Sequence, residues 1–498
     1  MPLQTEISGI ATENTTITFE YCKISYDFIF KGLDSSGSET EDTSNIVAYT
    51  VAGLDQNCPD TWVAIPSEYN SKPVNQIKAR AFIKSNKIKK IVVEENIENI
   101  GMDTFEGCSS IISARINTKN DINASFMFQN SSLKEIILGK NISLLPNCIF
   151  GNCKNLEKLI FCTEKNISLN SERCFEGCNS LKEILLNSGN TKYVLKDGIL
   201  YTNNYEKLVI YPVGKTDEEF TTDKRTKEIG AIAFCNNINL KRINILSNIE
   251  KIGDSAFSKS NIIYANIDCK NNLSSSYIFQ SCSKLKEIKL GENISNMAYC
   301  IFSRCTALEK IEFNTEKDIY IKDQRCFENC NSLTQIVTNS ENKKYISDNG
   351  ILYTTNKEKI VVYPSGKVND TFSFDVNTKI IGRYAFCPNK NLKEINISST
   401  VEEVDEGAFS YCSNLKKISV NVKSIKSEAF YHNLNLEEIN IGNNVSSIGY
   451  RSFGYLSKTD YITYNGSMED WNRITKHSNW KNNTPITTIH CTDGNISL

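Results

Sequence analysis

The chain has 498 residues, with 56 basic and 58 acidic side chains, a net charge of −2 and 40% hydrophobic residues. Its charges are mixed along the whole length, which argues against a nucleic-acid partner, since that would leave a basic stripe and a high pI. No apolar run approaches the roughly 18–20 residues that cross a bilayer, so no membrane span is expected.

The first residues, MPLQTEISGIATENTTITFEYC, lack both a basic start and an unbroken apolar core, so they do not form a secretory signal peptide. Either the chain stays in the cytoplasm, the default, or a leader was removed, or export is unconventional. Residues 17–34 (ITFEYCKISYDFIFKGLD) alternate as two strands, and 34–45 (DSSGSETEDTSN) make a polar, turn-rich, flexible linker. Residues 46–80, including VAIPSEYNSKPVNQI, are expected to cap the array that follows.

That array, over 81–460, is marked by phenylalanine at 82, 105, 128, 150, 175, 234, 257, 279, 302, 327, 386, 409, 430 and 453. All but two of the steps are 21 to 25 residues; the two exceptions are 59. A second period of 152 residues relates Phe82, Phe105, Phe150 and Phe175 to Phe234, Phe257, Phe302 and Phe327. Self-similarity at 20–29 residues is the signature of a leucine-rich solenoid, whose coils bury their apolar faces only by stacking. The expected fold is thus a leucine-rich repeat solenoid of about 14 coils, with one short parallel β-strand per coil. An Ile-Gly pair precedes many of the phenylalanines, as in IGDSAF (252–257), and Leu or Ile follows six residues after most of them. A strand comes next, such as LKEIIL (133–138), LKEIKL (285–290) or LEEINI (436–441), with apolar third and fifth positions facing the core.

Two insertions interrupt the array, at about 187–225 and 339–377. They read YVLKDGILYTNNYEKLVIYPVGK and YISDNGILYTTNKEKIVVYPSGK, and their Asp-Gly and Asn-Gly pairs predict hairpin turns. Each is expected to be a small antiparallel β-meander. The YPVGK glycine is not a phosphate loop, because GxxxxGK[ST] is absent. Residues 461–498 form the opposite cap: Ser467 to Asp470 starts a helix over about 468–475 carrying Trp471, and ITTIHCTDG is a last strand.

The 18 cysteines follow the repeat. Cys108, Cys153, Cys178, Cys282, Cys305, Cys330 and Cys412 each stand three residues after a marker phenylalanine, as small buried hydrophobes would. With three histidines and no paired CxxC, no metal site is expected. No HExxH or GxSxG is present, no residue is assigned a catalytic role, and no cofactor is implied. Glu135, Lys158, Glu183, Glu287, Lys310 and Glu394 share one repeat position and read as a solvated charge ladder. The fourth residue after each Leu should face solvent on the sheet. It is Ile137, Ile160 and Leu185 in three successive coils, where the next block has Lys289, Glu312 and Val337. These three are the candidate binding residues, unless the first insertion folds over them.

The pattern IGxxAFxxCxxLxxIxI, nearly complete at Ile100–Ile116 and approximated across Phe82–Phe453, resembles the BspA-like leucine-rich repeat family of bacterial and protist surface proteins. The DGILY…YPxGK insertions and the ending YNGSMEDWNRI…IHCTDG resemble segments of bacterial members. Family coils often carry Ile-Pro after the strand, where this chain has Leu-Gly (LGKNI, LGENI) or Ile-Gly (IGNNV). The resemblance implies a cell-surface or secreted, non-enzymatic adhesion or interaction protein with a protein or glycan partner. It fixes neither that partner nor an oligomeric state. A structural spacer or scaffold without a dedicated ligand is the alternative, and an enzyme a remote one.

Overall fold

A computed structural model describes residues 23–24, 28–55, 58, 61–171, 173–188 and 190–498. Most of the first strand expected at 17–34 lies outside them. The described residues form a parallel β-solenoid of about 19 turns with almost no helix. Its contacts divide it into two compact units. The first comprises the residues up to Glu218 with 223–240 and 255–260, and the second comprises 219–222, 241–254 and Asn261–Leu498.

In the first unit, one sheet runs through Lys23–Ile24, Trp62–Ala64, Lys90–Val93, Ser113–Ile116, Glu135–Leu138, Lys158–Phe161 and Glu183–Leu186. Every pairing is parallel and in repeat register: Ile136 sits beside Leu159 and then Ile184, and Ile137 beside Ile160 and then Leu185. The second unit repeats this from Glu219–Thr221 to Gln335–Thr338, and again from Thr371–Phe372 to Thr488–Cys491. Two-residue parallel strands such as Glu403–Val404, Ser424–Ile425 and Ser447–Ile448 form the opposite wall.

Between the walls the marker rings stack. Centroids of Phe82 and Phe105 lie 5.3 Å apart, of Phe105 and Phe128 5.0 Å, and of Phe409 and Phe430 5.4 Å, nearly parallel in each case. The turn count exceeds the expected 14 because phenylalanine is not the only ring in the column. Tyr211 stacks on Phe234 at 4.8 Å and Tyr363 on Phe386 at 4.6 Å, within the two long steps. Trp480 closes the series against Phe453 at 6.0 Å.

Each chain turn at a ring is tight. The second residue before many of the phenylalanines, and the second residue after, take left-handed backbone, as at Asp103 (φ 57°), Asn130 (φ 59°), Ser255 (φ 54°) and Asn329 (φ 59°). The cysteine ladder serves this turn. The thiols of Cys108, Cys153, Cys178, Cys305 and Cys330 donate to the carbonyl of the marker phenylalanine one coil earlier, at 2.9–3.0 Å. Asn433 occupies the same position and its amide donates to the Phe409 carbonyl at 3.0 Å, satisfying the same buried acceptor. Burial pushes the Cys108 thiol up to about 12 and Cys153 up to about 11.

All described cysteines are free thiols, and only Cys162 and Cys491 among them are half-buried rather than buried. Alkylation of the native protein should therefore reach these two well before the ladder thiols. Denaturation without reductant should release all 18. A much smaller count on a thiol titration would mean that the ladder is cross-linked.

The insertions are antiparallel meanders, as expected: Tyr193–Lys196 with Ile199–Thr202 and Lys207–Ile210, and Tyr345–Asp348 with Ile351–Thr354 and Lys359–Val362. Their turn pairs Asp197-Gly198 and Asn349-Gly350 have positive φ at both positions, the requirement of a type I′ hairpin. Each third strand then joins the opposite wall in parallel, Lys207 beside Glu228 and Lys359 beside Ile380.

At the N-terminal end, the 34–45 stretch is not a bare linker. Glu39–Thr40 pairs with Gly32–Leu33, and the Asp34 carboxylate accepts from the Ser36 and Ser38 amides at 2.9 and 3.0 Å, locking the turn between them. At the C-terminal end, helix Met468–Arg473 has a complete capping box from Ser467 and Asp470. It ends two residues earlier than expected. Thr488–Cys491 is followed by a strand the sequence reading omitted, Gly494–Ser497, which closes the sheet antiparallel.

Candidate binding surfaces

Ile137, Ile160 and Leu185 are brought together as adjacent strand partners, but they are not open to solvent. They are 2%, 0% and 4% exposed and form an apolar cluster of their own, apart from the main core, with Cys162 packed against it. The expectation of an exposed strip is corrected accordingly. Leaving each aliphatic chain wet would forgo roughly 1.5–3 kcal/mol, so burial is the stable arrangement. The first meander does not by itself explain the burial. The second meander has the same pairing, yet in its block Lys289 is exposed and Glu312 and Val337 are only half-buried. The charge ladder beside the strip is as expected: Lys158 lies 3.8 Å from Glu135 and 3.3 Å from Glu183.

The same outward row in the last coils of the second unit is polar and carries no lysine, arginine or carboxylate. Asn396, Ser419, Asn440, Thr463 and His490 are strand partners in turn. Asn396 is exposed and the others are half-buried. Beside this row run Glu394, Lys417, Glu438 and Tyr461, with Lys417 bound to Glu438 at 2.9 Å. Tyr461 is 45% exposed and its ring stacks on His490 at 4.5 Å. The row was legible in the strand motif, but its contrast with the buried first block was not.

A second surface lies at the turns around the marker rings, and the sequence reading passed over it. In the last coils the second residue after the phenylalanine is Tyr411, His432 or Tyr455, where earlier coils carry residues such as Asn130, Asn152 and Ser281. Tyr411 and His432 stack at 4.6 Å, and Tyr431 stands edge-on to Tyr411 and Tyr455 at 5.7 and 5.3 Å. Space for the neighbouring Tyr384 ring is made by Gly407 (φ +62°), whose added Cβ would meet that ring at 2.0 Å. A cleft of about 270 Å³ opens nearby, between Tyr320, Lys359, Arg383 and Asp405. Its two cations are already paired, Lys359 with Asp405 at 3.8 Å and Arg383 with Glu406.

Among the described residues, no three His, Cys, Asp or Glu side chains converge as a metal site would require. No helix among them is long and apolar enough to cross a membrane.

The family profile described as BspA type Leucine rich repeat region (6 copies) matches residues 72–205, 215–334, 275–375 and 365–481. No curated protein matches the chain. Solved structures do. A leucine-rich repeat protein from Eubacterium ventriosum is 17% identical, over 82% of this chain and 90% of its own, with a TM-score of 0.38. One from Bacteroides ovatus is 17% identical over 91% and 97%, also with a TM-score of 0.38. A leucine rich cell surface protein from Faecalibacterium prausnitzii is 17% identical over 93% and 99%, with a TM-score of 0.29.

Proposed function

The chain belongs to the BspA type leucine-rich repeat family, and on that premise we propose that it is a non-enzymatic interaction or adhesion protein. It binds a protein or glycan partner on the strand face of the coils in its second unit. The observation that carries this reading is the row from Asn396 to His490, flanked by paired charges and ending at the exposed ring of Tyr461. Parallel pairing sets these side chains about 4.8 Å apart, so amide and hydroxyl groups recur at a fixed step. Repeating donors and acceptors beside an aromatic platform suit an extended polar ligand, a glycan chain or the edge of a protein. Display at the cell surface belongs to the same reading, supported by the family.

The purified chain should give a hit on glycan or protein arrays whose affinity then depends on this face. Tyr461→Ala removes an exposed aromatic anchor and should weaken binding about 30-fold, the equivalent of about 2 kcal/mol for a hot-spot residue. The melting temperature should stay within a few degrees, because the ring is not in the core. Undiminished binding in Tyr461→Ala together with Asn440→Ala would remove the strand face from consideration.

A further inference from the structure

On the turn face of the second unit, arginines lie repeatedly over tyrosine rings. Arg325 lies 4.5 Å from the Tyr299 centroid, Arg383 4.9 Å from Tyr384 and 5.1 Å from Tyr320, and Arg451 4.7 Å from Tyr450. Two of these cations also meet a carboxylate: Arg383 pairs with Glu406, and Arg325 lies 3.9 Å from Asp323. The face thus builds the same unit more than once from its own residues, a guanidinium held between a phenol ring and an acid.

In one further unit the rings and the acid are present, and the group stacked on Tyr411 is the His432 imidazole, at 4.6 Å, rather than a guanidinium. Tyr411 and Tyr431 stand edge to face at 5.7 Å. Among the described residues no lysine or arginine lies over either ring. Glu428 is carried on the same turns: its amide donates to the Tyr450 carbonyl at 2.7 Å, and the Tyr431 amide donates to the Glu428 carbonyl at 3.0 Å. Among the described residues its half-buried carboxyl meets no hydrogen-bond or ion-pair partner. Burial chiefly raises its pKa, as does Glu406, while Arg451 and Arg383 oppose this from a distance. Tyr411 and Glu428 both hold left-handed backbone, at φ 57° each, which bulky side chains adopt at a cost.

We propose that Glu428, Tyr411 and Tyr431 receive the guanidinium of an arginine presented by a protein partner. The partner's arginine completes in trans the arrangement that Arg383 makes in cis with Tyr384 and Glu406. A planar guanidinium can lie on a ring while donating to the carboxylate, as Arg383 does with Tyr384 and Glu406, whereas a phosphate would meet like charge at Glu428. A metal ion is not the occupant, because a single carboxylate supplies too few ligands. This inference rests on the reading that the chain binds a protein. It concerns a different face from the strand row, so Tyr461→Ala reports on that row and Glu428→Gln on this site.

The test is fluorescence anisotropy of the full chain with a labelled glycine-rich peptide carrying three arginines, alongside its lysine and citrulline counterparts. The arginine peptide should bind at least tenfold more tightly than either counterpart. Glu428→Gln and Tyr431→Ala should each lose at least tenfold of that affinity. Tyr431→Phe, which keeps the ring, should retain it and so separates loss of the site from loss of the fold. Glu341→Gln, at an exposed loop position before Tyr345–Asp348, should leave binding unchanged. Equal binding of the citrulline or lysine peptide would overturn the proposal. So would wild-type affinity in Glu428→Gln, or an equal loss in Glu341→Gln, which would reduce the effect to general attraction of a polycation.

Discussion

Replacing Phe257 by alanine should lower the stability of the first unit by about 3–5 kcal/mol, the range for truncating a fully buried aromatic side chain. Phe257 has no exposed surface, and its ring stacks on Phe234 at 4.9 Å. In a repeat array each coil is held mainly by its neighbours, so a cavity in the ring column weakens both interfaces of one coil. Urea denaturation followed by far-ultraviolet circular dichroism measures the loss, and hydrogen exchange maps where protection falls. Trp471→Ala gives the contrast. Trp471 packs on Tyr464 at 5.2 Å and Trp480 at 6.0 Å, so its loss should open the C-terminal cap first. An unchanged midpoint in Phe257→Ala would show that the column is not what holds the coils together.

The repeat was legible because a solenoid writes its packing at a fixed interval. Phe82 through Phe453 and the cysteines three residues beyond them follow from stacking alone, and the structure buries both sets. Phenylalanine alone, however, undercounts the coils. Tyr211 stands 23 residues before Phe234 and Tyr363 23 before Phe386, the ordinary coil step, so the period itself could have found the rings inside the meanders. Other features leave no such mark. The thiol-to-carbonyl bonds need the coil offset in space, although Asn433 in a cysteine position was a hint that the site wants a donor rather than an apolar group. The aromatic turn face is visible as Tyr411, His432 and Tyr455 at one repeat position, but which arginines reach which rings is set only by the fold. Whether an outward strand position is wet depends on what lies over it, and alternation within the strand is silent about that. Ile137, Ile160 and Leu185 share one strand position and form a cluster apart from the main core, and their burial is a tertiary fact.

That distinction decides the expected result of exchanging the strip for its counterpart in the second block, Ile137→Lys, Ile160→Glu and Leu185→Val. In the second block Lys289 and Glu312 pair at 3.4 Å, with their side chains 49% and 16% exposed, so water still solvates the lysine. In the first block the same two charges would replace side chains that are 2% and 0% exposed. Their mutual attraction there would have to offset a desolvation cost of several kcal/mol per ion, and it does so only with ideal geometry and further hydrogen bonds. The triple variant should therefore lose at least about 3 kcal/mol, read as a lower urea midpoint for the first unit. The reciprocal change, Lys289→Ile with Glu312→Ile, should cost less than the triple variant, because it removes both partners of a partly exposed pair together and leaves Lys310, 3.7 Å from Glu312, still paired with Glu287 at 3.0 Å. If the triple variant unfolds like the parent while a bound partner is lost, the strip is an open face and the original assignment of Ile137, Ile160 and Leu185 to binding returns. If stability falls and the affinity of the strand face in the second unit persists, the strip is part of the architecture that carries the binding surfaces.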